Sequence, residues 1–416
     1  MYLYQKRQAR IEIMNSHFRN VNSGNLFWVL MLLILVIAAG GCAGIAVPQG
    51  WSGGLINQDK DTIYVGTAQG EMKAINILEG DSRTSQYDLG PGEQLWTFNL
   101  KDMGHNAEQA DRATIYGTPV IFEDRLYVGG YDGYVYVLTL DGELLLEERI
   151  GDGDHIVGGP YVAGGNLLIG SSDGNLYALS SEDLTEKWVF STGNKVWSTP
   201  VVDNGVVYFG SQDHVFYAIN LNTGNKIWDF RVGGAITSTA VLFDGRVYIG
   251  SFDGIFYSID GLTGKEISRF EGGKGWYWGT PITDGETIFI PSLNGSLYAL
   301  SLDSLNPVWE RPLETEGPII GSPVIVGDFI AVPSRDEGVY LARLLDGRFE
   351  DRCDIDSPLR ASLSAVGNTI YFPVGNSVRQ LFVNPTGNFK GGWLHATDFE
   401  SNQDDSRLTV ERWRCG

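Results

Sequence analysis

The residues through which this chain could do chemistry are five histidines, three cysteines, an Asp-Gly-Asp triplet and a Gly-Gly-Lys-Gly run. His17, His105, His155, His214 and His395 are scattered, with none of the close spacings that bring metal ligands together. Asp152-Gly153-Asp154 begins like a calcium loop, but the other oxygen ligands that such a cage requires do not follow. The run from Gly272 to Gly275 lacks the Ser or Thr of a phosphate loop and opens no helical pattern. Linear order supplies no Ser-His-Asp set. We therefore expect no catalytic residue, no cofactor and no metal.

The elements that would hold such residues are short and repeated. Tyr208 to Asn220 reads YFGSQDHVFYAIN, and forty residues later Tyr248 to Asp260 reads YIGSFDGIFYSID. Two runs of aromatic and β-branched residues flank an Asp-Gly turn, which predicts a β-hairpin and makes Asp253 a turn residue rather than a catalytic carboxylate. His214 stands at the glycine position of its turn. The residue closing the first run recurs as Gly66, Gly129, Gly170, Gly210, Gly250, Pro291, Pro333 and Pro373, at steps of 63, 41, 40, 40, 41, 42 and 40. The long first step holds polar insertions around Asp81 to Gln94 and Lys101 to Arg112.

One unit shows four strands: Trp197 to Asp203 after a kink at Pro200, Gly205 to Gly210, Val215 to Leu221 and Lys226 to Val232. Eight units of four short strands, with no helical periodicity, predict an all-β, eight-bladed β-propeller of four-stranded antiparallel blades over residues 50–397. A single blade cannot bury both faces of its sheet, so the ring should fold as one domain. Residues 398–416 read as a polar tail.

Residues 1–41 are a different text. Lys6, Arg7, Arg10 and Arg19 precede an apolar run of 16 residues, Leu26 to Gly41, that ends in small residues. This is an export signal or a membrane anchor, since a spanning helix usually needs about 20 apolar residues. Ala39-Gly40-Gly41-Cys42 resembles a bacterial lipobox, with Ala39 where the pattern favours Leu. That resemblance implies lipidation at Cys42, a linker over 42–49, and a body held at a membrane surface facing the periplasm or the extracellular side. A plain anchor or a cleaved signal is the alternative.

The net charge is −21, and the basic leader makes the body more acidic still. Such a surface disfavours nucleic acid as a partner. In an oxidising compartment Cys353 and Cys415 can pair and pin the tail to the seventh blade, or stay separate thiols.

The third and fourth strands resemble the quinoprotein (PQQ-like) repeat, a motif of Ala, Asp, Thr-Gly-Lys and Trp. Ala218, Asn220, Thr223, Gly224 and Trp228 follow it, as do Asp260, Thr263, Gly264 and Lys265, with Ser268 in place of Trp. Ala178 with Trp188 and Ala299 with Trp309 keep the ends of the motif. The resemblance makes Trp96, Trp188, Trp228 and Trp309 structural, packed between blades. One branch of the family is quinone-dependent dehydrogenases, built with adjacent cysteines, a Glu-Asn-Asp calcium site and long loops that this chain lacks. The other branch, the BamB-type outer-membrane assembly lipoproteins, is similar in length, blade number and lipidated cysteine, and implies a scaffold without cofactor.

What remains is surface. Tyr116, Trp197, Trp276, Tyr277, Trp278 and Arg360 open inner strands at one phase, with Trp51 and Ser52 at the same phase. They should gather at one mouth of the ring as a partner surface, unless the rings pack between blades. The reading is a non-enzymatic, anchored scaffold for envelope or membrane proteins, a monomer within a complex. A quinone-dependent dehydrogenase and a surface protein that binds carbohydrate or peptide are the rivals.

Overall fold

The computed structural model describes residues 52–77, 92–105, 114–374, 377–395, 410–412 and 415. The chain divides into two units, Met1–Gln49 and Gly50–Gly416. The first, with the apolar run and Cys42, lies outside the described residues, as do Trp51 and most of both polar insertions. No helix among the described residues is long and apolar enough to cross a membrane.

The second unit is eight antiparallel sheets, each continuous in sequence. In blade 4, Val201–Asp203, Val206–Gly210, Val215–Asn220 and Lys226–Arg231 pair in that order. The inner strand thus starts at Val201 and not at Trp197, because Pro200 has no N–H to give a ladder. The glycine column has a packing cause. A Cβ on Gly210 would stand 2.2 Å from Cγ2 of Ile236, in the connection to the next blade.

The four repeat tryptophans join blades. Each indole Nε1–H donates to a carbonyl of the next blade: Trp96 to Leu140 at 2.9 Å, Trp188 to Leu221 at 2.9 Å, Trp228 to Gly261 at 2.9 Å and Trp309 to Leu344 at 3.0 Å. Each ring also covers a left-handed glycine of that blade's last turn: Gly142, Gly224, Gly264 and Gly347 respectively. In three of these blades Ala faces Trp across the strands at a bulge, as Ala74 to Trp96, Ala178 to Trp188 and Ala218 to Trp228.

Blades 2 and 5 lack the tryptophan, and the blade after each has a leucine at the left-handed turn position, Leu184 (φ 61°) and Leu305 (φ 56°). Both leucines are buried, against Tyr127 and Leu146 in one case and Tyr248 in the other. There an arginine holds the turn instead. Arg125 donates to the Glu182 carbonyl at 2.9 Å and Arg246 to the Asp303 carbonyl at 2.9 Å.

Among the described residues the ring closes by packing and a side-chain hydrogen bond, with no strand shared between blades 1 and 8. Ile63, Val65 and Ile75 of blade 1 meet Tyr371 and Val378 of blade 8, and the Ser364 hydroxyl donates to the Gly54 carbonyl. The expected polar tail adds a fifth strand, Val410–Arg412, to the outer edge of blade 8. A disulfide joins Cys415 to Cys353, which is buried in blade 7.

Candidate binding face at the channel mouth

In blades 2 to 7 the connection after the second strand lies beside the connection that enters the blade from the preceding one. Backbone hydrogen bonds tie them together: Gln212 N–H to the Lys195 carbonyl, Phe252 to Ala235, Leu293 to Trp276 and Arg335 to Pro318, at 2.9 to 3.0 Å. The repeat aspartate locks this corner. Asp213 Oδ1 accepts from Val215 N–H at 3.0 Å, and its Oδ2 accepts from the Tyr217 hydroxyl at 2.6 Å and from Gly193 N–H at 2.8 Å. Asp253 repeats all three bonds with Ile255, Tyr257 and Gly233. Its carboxylate is therefore consumed by the turn. Burial, and then the bond to the aspartate, push the hydroxyls of Tyr217 and Tyr257 well above the usual tyrosine range.

The fixed corner sets two rows of side chains. Ile115, Ile156, Val196, Ile236, Tyr277, Ile319 and Leu359 occupy one position and are buried between blades. The next residue, Tyr116, Val157, Trp197, Thr237, Trp278, Ile320 or Arg360, lies on the other side of the chain from that joint, as alternation along an extended segment requires, and so stands at the expected mouth position. Tyr277 thus leaves the expected partner surface. It is 0 % exposed, and a Cβ on Gly250 would meet its Cβ at 2.4 Å, so it fills the slot that aliphatic residues fill elsewhere.

The other expected surface residues fall into two sectors. Trp276 is 54 % exposed and stacks on Phe252, with ring centroids 5.0 Å apart and planes 8° from parallel. Trp278 lies 5.6 Å from Phe252 and 6.3 Å from Trp197. These last two indoles come from blades 6 and 4 and meet above blade 5, where the small Thr237 sits almost buried. Trp197 is itself mostly buried; its Nε1–H donates to Ser172 Oγ at 2.8 Å, and Lys195 lies over its ring at 5.1 Å. In the second sector Tyr116 packs edge-on against Tyr131 at 5.0 Å, and Tyr131 stacks on His155 at 3.9 Å. Arg360 is close enough to Arg335 and Tyr116 to feel both. Desolvation first, and then the Arg335 charge, lower its pKa from the ordinary value.

Phe252, Lys195, Tyr131 and Arg335 belong to this face and were not singled out in the sequence. Their signal is the residue just before the repeat aspartate, or two before the mouth position, read down every unit.

The other chemical candidates are spent on structure. His105 stacks on Tyr134 at 3.8 Å, His155 on Tyr131, and His214 holds a left-handed φ of 69°. The carbonyl of Asp152 accepts from Arg149, which puts a cation where a calcium loop would need one. The opposite face carries a groove of about 630 Å³ walled by Val202, Leu242, Phe243 and Leu262, but its one cation, Arg246, is held by the carbonyls of Leu302 and Asp303.

A family model described as outer membrane protein assembly factor BamB matches residues 80–260, 154–350 and 253–378. Among solved structures the chain is similar to the computationally designed Ika8 protein, with a TM-score of 0.66 and 15% identity over 81% of this chain and 97% of that one. It is similar to BamB from Moraxella catarrhalis, with a TM-score of 0.59 and 19% identity over 78% and 94% of the two chains. It also resembles the quinohemoprotein alcohol dehydrogenase from Comamonas testosteroni, with a TM-score of 0.62 and 13% identity over 83% and 71%. At these identities the likenesses show the fold. No curated protein matches the chain.

Proposed function

Because the chain belongs to the family of the outer membrane protein assembly factor BamB, we propose that it is a non-catalytic scaffold that holds other envelope proteins during outer-membrane protein assembly. The observation that carries this reading is the mouth itself. The ring carries an exposed Trp276 stacked on Phe252, and two half-buried arginines, Arg335 and Arg360, at equivalent positions of the following blades. Large aromatics and arginine are the side chains that anchor protein interfaces. The body is anchored at a membrane through Cys42, on the strength of the lipobox resemblance, and works as a monomer within a complex.

The rival reading is a quinone-dependent dehydrogenase with calcium. The mouth does not fit that group. The charged side chains of its rows are Lys195, Arg335 and Arg360, which repel a divalent cation, and calcium needs a cage of oxygens. Among the described residues no set of three His, Cys, Asp or Glu side chains is placed to hold a metal.

The test is photo-crosslinking in the native cell, with a benzophenone amino acid at position 252 or 278 and, as control, at Leu145 on an outer strand. Capture of outer-membrane assembly proteins from the mouth positions alone is the expected result. Equal capture from Leu145, or retention of stoichiometric pyrroloquinoline quinone through gel filtration, would sink the scaffold reading.

A further inference from the structure

Arg335 and Arg360 are neighbours by construction. The Arg335 N–H donates to the Pro318 carbonyl, and the Leu359 N–H donates to the Ser334 carbonyl at 3.3 Å, so the second-strand turn of blade 7 and the entry to blade 8 run side by side. Asp336 of this turn is already engaged, because Arg352 lies within 4 Å of it and of Glu316 and Asp354, and the turn's other carboxylate, Glu337, is exposed. Arg360 Nε is buried and has no hydrogen-bond partner among the described residues. Two adjacent guanidiniums in a chain of net charge −21 are an unusual use of cation. Leaving a buried donor of a charged group unsatisfied is costly unless a ligand completes it.

The same row continues into apolar chemistry. Going back around the ring from Arg360, the mouth positions are Ile320 and then Trp278, with the Trp276–Phe252 stack behind the indole. Cationic, aliphatic and aromatic side chains therefore follow one another over blades 8, 7 and 6. A sugar would stack on the tryptophans but leave the guanidiniums unmatched. A nucleic acid would match both but meet the field of an acidic body.

The geometry points to an extended peptide segment as the ligand of this mouth, with an aromatic side chain stacked in the Trp278–Trp276–Phe252 sector and a carboxylate a few residues away held by Arg335 and Arg360. This rests on the scaffold reading and names the chemistry of its partner. A carboxylate on a guanidinium pair gives charge-assisted, bidentate hydrogen bonds, and a planar side chain against an indole adds stacking.

The experiment uses the full chain in detergent and a fluorescein-labelled ten-residue Gly/Ser peptide carrying one Phe and, three residues on, two Asp. Fluorescence polarisation should show binding that weakens with salt. It should weaken about tenfold in the Arg335→Gln/Arg360→Gln double variant and by a similar factor in Trp276→Ala, with the wild-type circular dichroism retained. Peptides with Lys for Asp, or Ala for Phe, should bind more weakly than the parent. Equal binding of the Lys peptide, no effect of the arginine changes, or binding of pyrroloquinoline quinone or oligosaccharide but of no peptide would overturn the proposal. If the peptide fails while positions 252 and 278 still crosslink to assembly proteins, the scaffold stands and only this partner chemistry falls.

Discussion

The Trp228 indole and the Tyr208 hydroxyl end on one atom, the Gly261 carbonyl oxygen of the next blade, at 2.9 and 3.0 Å. Both lone pairs of a turn carbonyl are thus used by one neighbouring blade, and the rings that reach it pack 5.8 Å apart. Removing the indole opens a cavity and loses one of the two bonds. Trp228→Ala should cost about 3 to 5 kcal/mol in chemical denaturation. A variant as stable as wild type would mean that the ring does not join the blades.

Gly264 tests the same joint from the other side. Its φ is 70°, and a Cβ there would meet Trp228 Cδ2 at 2.6 Å. Gly264→Ala should therefore lower the melting temperature through strain as well as overlap, by more than the ~1 kcal/mol expected of a left-handed alanine alone.

Blade 5 allows a compensating pair. Ser268 stands where Trp228 stands in blade 4, and Leu305 fills the space that the indole uses elsewhere. Ser268→Trp alone should overpack the joint and destabilise it by about 1 to 3 kcal/mol. Adding Leu305→Gly should recover part of that loss. A double-mutant cycle with zero or unfavourable coupling would refute the exchange of tryptophan-on-glycine for leucine-with-arginine.

The alkaline limb of stability follows from the aspartate corners. Tyr136, Tyr177, Tyr217, Tyr257 and Tyr340 all have raised pKa values, first through burial, with the paired aspartate adding to the shift; Tyr340 is pushed up to about 12. An unfolded tyrosine ionises near pH 10. Above that pH the unfolded chain loses protons that the folded ring keeps, so stability falls as pH rises, and for Tyr340 the loss runs from about pH 10 to about 12. Absorbance at 295 nm should show these hydroxyls ionising together with unfolding. Asp213→Asn should bring Tyr217 down toward its ordinary range.

The Cys353–Cys415 bridge closes a loop of 62 residues around blade 8. On the chain-entropy account such a loop is worth about 4 kcal/mol. Cys415→Ser, or reductant, should lower the melting temperature by several degrees and expose 410–412 to protease. Identical melting with and without reductant would show that the bridge does not restrain the unfolded chain.

The period and blade count were legible in the sequence because the glycine column is forced. A side chain at Gly210 or Gly250 would strike the connection to the next blade, so the column repeats wherever the blade does. The tryptophans were legible for the same reason, as large groups over an obligatory turn glycine. Arg125 and Arg246 were not, because an arginine at the start of a second strand looks like solvated charge until the neighbouring turn is known to carry leucine. Tyr277 misled because it stands among tryptophans. Adjacent residues here point alternately into the joint and into the mouth, and only the register against Gly250 separates them. The fifth strand of blade 8 was hidden by the polar sequence that leads to it.

The seam between blades 8 and 1 has a consequence for the order of folding. Ser364 and Gly54 are 310 residues apart, whereas the other joints link units 40 to 63 residues apart. Closing a loop of that length costs about 5 kcal/mol in chain entropy, which only a nearly complete stack can offset. Among the described residues no blade takes a strand from the far terminus, so no sheet pairing draws the ends together early. On that argument an open arc precedes closure, with its two end faces, around Ile63 and Tyr371, wet until the last blade forms. The arc is the species most exposed to aggregation, and closure is the step at which the mouth first becomes a complete ring.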